Sequence, residues 1–167
     1  MAEGLTLDIW IEQLVRRHLP TAEHWLGRTA GKLTPNDLPS DASELDLWFE
    51  TCTAEPGRLD CLALVYETPV GVVGLRQTAD QDTAELYLMM GEVGYNLLRT
   101  AAYVTLRMLD RAFSEAEIRR VAVHVSSQHE WFVDTLEQMG FSKMGTEAGI
   151  VSLRVEKSAY LNRKYLF

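Results

Sequence analysis

Along the chain, apolar and polar residues alternate with two different periods, and the breaks between them mark the elements. Residues 5–19 are mixed in character up to Pro20. Residues 13–19 predict a first strand, with residues 5–12 as a helical or extended lead-in. Thr21 reads as an N-cap for a helical run ending near Leu26. Residues 33–41 are rich in turn formers (Pro35, Asn36, Asp37, Pro39, Ser40) and predict a loop. Ser40 or Asp41 then caps a second helix. Its apolar face is Leu45, Trp48, Phe49 and Cys52, at i, i+3, i+4 and i+7, and it stops near Pro56 and Gly57.

The middle of the chain has the shorter period of strands. The apolar runs at 61–66 and 70–75 flank Thr68 and Pro69 and predict a hairpin. Residues 84–90 follow a polar turn and add a third strand, completing an antiparallel meander. From Leu97 the period lengthens. Leu97, Ala101, Val104, Met108 and Ala112 fall on one helical stripe, beside Leu98, Ala102, Leu106, Leu109 and Phe113. Residues 119–125 predict a strand. Residues 129–139 predict a helix closed by Gly140 at the C′ position. Residues 141–155 contain two short strands around Gly145 and Gly149. The expected order is strand, two helices, three strands, helix, strand, helix, two strands.

Length and composition narrow the class. A chain of 167 residues fits one domain, 1–167, around one sizeable core. With 47% hydrophobic and 24% charged residues it belongs with globular rather than disordered chains. No apolar run approaches the ~18 residues that cross a bilayer, and the first residues lack the basic region of a secretory signal. A cytoplasmic location without membrane contact is therefore expected. The formal charge of -8 disfavours phosphate backbones, so no nucleic-acid partner is expected. It gives weak support for cationic amines as substrates. Arg16, Arg17 and His18 form the nearest approach to a basic patch and read as a solvated face. Cys52 and Cys61 lie in no CxxC and near no His at ligand spacing, so small, partly buried free thiols are expected, and no metal. His18 and His24 have no carboxylate at ligand spacing. Trp10, Trp25, Trp48 and Trp131 read as core or groove aromatics. The apolar tail from Lys157 to Phe167 is expected to dock on the domain or to meet a second subunit, giving a homodimer.

Four phrases in order carry a family resemblance: PVGVVGLR at 69–76, AELYLMMGE at 84–92, the loop and helix over 95–113, and EQMGF at 137–141. Together they resemble the Gcn5-related N-acetyltransferases, and especially the branch that modifies ribosomal-protein N-termini and polyamines. The likeness spans roughly residues 14–157. It implies an α/β (α+β) fold: a mixed, mostly antiparallel sheet of six to seven strands, four helices, and two neighbouring parallel strands that splay apart. It also implies acyl transfer from acetyl-CoA, as cosubstrate, to a primary amine of a small molecule or a peptide N-terminus. The pantetheine arm would lie in the splay, against Leu88, Met89 and Met90. A backbone N–H would polarise the thioester carbonyl, and the start of the following helix would hold pyrophosphate.

Several positions depart from the family pattern. Its Gln/Arg-x-x-Gly-x-Gly/Ala loop aligns with Asn96, Leu97, Leu98, Arg99, Thr100 and Ala101, of which only Ala101 fits. Arg99 replaces a glycine that would let backbone approach phosphate. One reading makes Arg99 a direct phosphate grip; the other makes it a solvated helix-start residue after phosphate binding is lost. The usual Asn and Tyr of the later helix align with His129 and Leu136. Leu136 donates no proton, which leaves His129, Ser126, Ser127 and Tyr103 as candidate acids. Phe132 stands where a small residue is usual and narrows the channel. Glu85 is the candidate base, with a structural strand carboxylate as the alternative, and His124 stands on the adjacent strand. These losses also allow a second function, a degenerate acetyltransferase fold kept to sense CoA or to contact a protein partner.

Overall fold

The computed structural model describes residues 8–27, 32–91, 97–115 and 117–163. Seven strands form one sheet: β1 (Ile9–Gln13), β2 (Arg58–Val65), β3 (Thr68–Gln77), β4 (Thr83–Met90), β5 (Arg120–Ser126), β6 (Ser142–Glu147) and β7 (Ile150–Glu156). They stand in the order β1-β2-β3-β4-β5-β7-β6. Every neighbouring pair is antiparallel except β4 and β5. The helices are α1 (Leu19–Glu23), α2 (Leu45–Ala54), α3 (Leu97–Ser114), α4 (Glu130–Gln138) and α5 (Lys157–Arg163).

Alternation sorts the strand side chains onto two faces. Leu86, Leu88, Met90, Val121, Val123 and Val125 are buried in a core with Ala101, Val104 and Met108 of α3 and Phe132 and Leu136 of α4. Leu62, Val72, Tyr87 and Met89 face the other way, onto Trp25 and onto Leu45, Trp48 and Cys52 of α2. The helical stripes read from sequence supply both layers, although Leu98 is exposed.

Several expectations need correction. Residues 13–19 are not the first strand; the strand is Ile9–Gln13, and Arg16–His18 is a 3-10 turn running into α1. The chain turns there because the His18 ring accepts the Val15 amide at 3.0 Å, and Pro20 sits in the first turn of α1. His18 also has a carboxylate partner after all, Glu12 at 3.1 Å. Trp10 is exposed on the edge strand rather than in the core or a groove. The tail supplies a fifth helix, whose buried Tyr160 packs on Phe113 and donates to Asp110 at 2.7 Å. Residues 164–167 lie outside the described residues, and so does Asn96. Cys52 and Cys61 are free, as expected, and are buried rather than partly buried.

Candidate active site at the fork of β4 and β5

The parallel ladder between β4 and β5 is short. It runs from Thr83↔Arg120 through Ala84↔Val121 and Glu85↔Ala122 to Leu86↔Val123. Beyond that rung β4 continues to Met90 and β5 to Ser126 without pairing to each other. Each keeps a full antiparallel partner on its outer side, β3 for β4 and β7 for β5. The Gly91 amide donates to the Val70 carbonyl at 2.7 Å, so odd-numbered residues of β4 turn their backbone groups toward β3. Leu88 and Met90 therefore turn theirs into the fork.

A segment of the loop before α2 lies on that edge. Lys32 forms an antiparallel bridge with Met89, and the Leu88 amide donates to the Thr34 hydroxyl at 2.9 Å. Leu33 is fully buried in the core between these contacts. The loop is the one that the turn formers predicted, but nothing in its sequence announced Thr34 as a partner for β4.

On the α2 side, the fork opens into a cleft of about 280 Å³ lined by residues that include Thr34, Asp37, Arg58, Glu85, Tyr87 and His124. Glu85 stands one residue before the last rung and His124 one residue after it. His124 Nε2 lies 3.6 Å from Glu85 Oε1, with the two side chains 43% and 48% exposed, so both are open to solvent. His124 Nδ1 is 2.9 Å from Ser152 Oγ on β7, in register with His124. Ion pairs and hydrogen bonds tie the wall of the cleft together. Arg58, 4% exposed, is gripped by Asp37 at 2.7 Å and Asp60 at 3.1 Å, and the Tyr87 hydroxyl donates to Asp60. Burial, then the Asp60 charge and hydrogen bond, push the Tyr87 phenol well above its ordinary range. Hydrogen bonds from Arg58 pull Asp37 down to about 2.

No protein-family profile matches the sequence, and no curated protein matches it either. Solved structures do match in shape. A spermidine N-acetyltransferase from Vibrio cholerae, in complex with CoA and spermine, superposes with a TM-score of 0.74 at 18% identity, over 92% of this chain and 98% of that one. A chimera of the Vibrio cholerae spermidine N-acetyltransferase SpeG and hSSAT gives 0.78 at 18% identity, over 93% and 99%. The aminoglycoside acetyltransferase AAC(6')-Ib, in complex with coenzyme A, gives 0.77 at 11% identity, over 93% and 99%. The chain has the Gcn5-related N-acetyltransferase fold.

Within that fold the structure brings some of the sequence-predicted residues to the fork and leaves others apart. Glu85 and His124 meet at the fork. Ser126 lies two residues beyond His124 on the same face, and its hydroxyl accepts the Gln128 amide at 3.4 Å. Leu88, Met89 and Met90 have buried side chains; their backbone is what borders the fork. His129 precedes α4, half-buried, with its ring edge-on to Trp131 at 6.3 Å. Arg99, Thr100 and Ala101 lie in the first turns of α3. Thr100 and Ala101 are buried, Arg99 is half-buried, and Arg99 makes no ion pair among the described residues. Phe132 and Leu136 are fully buried. Tyr103 lies apart from the fork, in an outer groove with Leu106, Asp110 and Tyr160.

The edge meets one requirement of an acyl-pantetheine arm: strand backbone that no neighbouring strand uses. It also carries a competitor, because the Leu88 amide already has an acceptor in Thr34. Sequence reasoning missed Thr34 and Ser152. Both act on residues far away in the chain, 54 and 28 positions off.

Proposed function

We propose that this protein is an acetyl-CoA-dependent N-acyltransferase acting on a primary amine of a small molecule or a peptide N-terminus. The observation that carries this reading is the fork itself: β4 and β5 part after Leu86↔Val123, and a carboxylate and an imidazole flank the point of parting. The neighbours that carry CoA or act on spermidine and aminoglycosides support it at the level of fold. Leu88, Met89 and Met90 would hold the pantetheine arm through their backbone. Thr100, Ala101 and Arg99, at the start of α3, would face its phosphates. Bound there, the thioester supplies an activated acyl carbon. The protein's own part is to seat the amine at Glu85 and His124 and to accept its proton, since a protonated amine has no free electron pair for attack.

A second reading, a CoA sensor or protein-binding module on the same fold, draws on Thr34 occupying the Leu88 amide and on Leu136 being core rather than an acid. Two measurements separate the readings. Calorimetric titration with acetyl-CoA is expected to give binding heat. A thiol-release assay with a panel of alkylamines, polyamines and short peptides is expected to give turnover with at least one of them. Binding without any thiol release would favour the second reading. No heat at near-millimolar acetyl-CoA would count against both forms that involve CoA.

A further inference from the structure

We infer that His124, held by Ser152, is the group that takes the proton from the acceptor ammonium, and that Glu85 holds that ammonium in place. This rests on the acyl-transfer reading and divides between two residues the role first assigned to Glu85 alone.

The chemistry favours the imidazole. Carboxylates titrate near ~4 and alkylammonium ions near ~10, so a carboxylate is a weak acceptor for an amine proton, whereas imidazole, near ~6.5, is better matched. The geometry supplies a way to use it. Ser152 Oγ lies at hydrogen-bond distance, 2.9 Å, from Nδ1. The Ser152 hydroxyl can donate to Nδ1 or accept from it, so both ring tautomers fit the contact. In the tautomer with Nδ1–H donating to Ser152, the Nε2 lone pair faces the cleft and Glu85 3.6 Å away, an arrangement that is favourable once a cation bridges the two from the cleft side. An ammonium group meets that need, donating one N–H to each. In the transfer, one ammonium N–H bond breaks and its electron pair stays on the amine. The proton bonds to Nε2, and the resulting imidazolium is held by Glu85 on one side and Ser152 on the other.

The surrounding charges are otherwise matched. Arg76 is paired with Glu55 at 2.6 Å, Arg58 with Asp37 and Asp60, Arg154 with Glu156 at 3.3 Å, and Arg120 with Asp82 and Glu156. Among the described residues, the ion pair of Glu85 is with His124. Ser152 is a positioning residue in this scheme, acting through the ring.

The test uses the full chain and the amine that the wild-type protein turns over fastest in the thiol-release panel. H124Q is expected to lower kcat/KM about 100-fold near pH 7, with activity returning as the pH approaches the amine's own pKa. E85Q is expected to act mainly on KM. S152A is expected to lower kcat at neutral pH, and S152T to restore it. A readout independent of turnover is the NMR signal of the His124 ring on adding the amine, which is expected to move in the wild type and to stay in place in E85Q. An H124Q variant with the wild-type pH profile, or a His124 ring that answers the amine alike with and without the Glu85 carboxylate, would overturn the inference. A wild-type protein that releases no thiol from any amine would overturn the acyl-transfer reading and the base role with it, while the ring signal would still show whether Glu85 and His124 hold an ammonium together.

Discussion

The Leu88 amide donates to the Thr34 hydroxyl at 2.9 Å, across 54 residues of chain and at the edge where β4 leaves β5. The bond satisfies a buried N–H that the splayed strands leave without a ladder partner. Any carbonyl brought to this edge must displace that hydroxyl. A Thr34→Val substitution keeps the shape and removes the acceptor. It is expected to cost about 1–3 kcal/mol of stability, the penalty of an unsatisfied buried amide, and to tighten acetyl-CoA binding about 5–10-fold, since a ligand carbonyl would then restore the bond. Thermal unfolding and calorimetry check the two halves separately.

Arg58 anchors the far wall of the cleft. With its side chain 4% exposed and bonded to Asp37 and Asp60, an Arg58→Ala change strands buried carboxylate charge. Loss of about 3–5 kcal/mol is expected in denaturant unfolding.

The same cluster sets an acid limb. Arg58 holds the Asp37 carboxyl down at about 2, below its ordinary 3.8. A carboxyl lowered by folding contributes stability above its unfolded value and loses it as the pH falls through the folded one. Wild-type stability is therefore expected to decline between about pH 4 and pH 2. Asp37→Asn is expected to flatten that limb. Solvent reaches Asp37, so the effect is modest; stability measured against pH in both proteins checks it.

Gly74 lies under the Tyr87 ring, and a Cβ there would meet Tyr87 Cε1 at 2.2 Å. Gly74→Ala is expected to destabilise the fold by about 1–3 kcal/mol and to loosen the hydroxyl's hold on Asp60. A lower Tm checks the first effect.

Burial pushes the Cys52 thiol up to about 12 and the Cys61 thiol up to about 11. Since the thiolate is the nucleophile, both are expected to resist thiol reagents in the native protein and to react on unfolding. Fast labelling of either at pH 8 would contradict their burial.

What the sequence made legible follows from which forces are periodic. α3 was readable because burial on one face imposes a repeat of 3.6 residues, and β4 because a short apolar run follows a polar turn, although it is buried on both faces. Gly140 was readable as a helix stop because its φ of 111° suits glycine. The run at 13–19 misled because its turn depends on the His18 ring binding the Val15 amide, a bond between side chain and backbone that leaves no pattern. α5 was hidden because seven residues are too few to establish a period. Within the site, alternation put Glu85 on one face with Tyr87 and Met89, while His124 joins it through the register of β4 and β5. Ser152 and Thr34 could not be placed, because strand register and loop docking bring them in from elsewhere in the chain.

The account depends most on the edge of β4 beyond Leu86, which Lys32 and Thr34 partly cover, being the seat of the acyl-carrying arm. Backbone amide NMR of the labelled protein, recorded with increasing acetyl-CoA, addresses it directly. The expected result is that the largest shifts fall on Leu88, Met90 and the residues facing them at Lys32, Leu33 and Thr34. Unchanged amides along β4, with shifts confined to the outer groove around Tyr103 and Tyr160 or absent altogether, would contradict it.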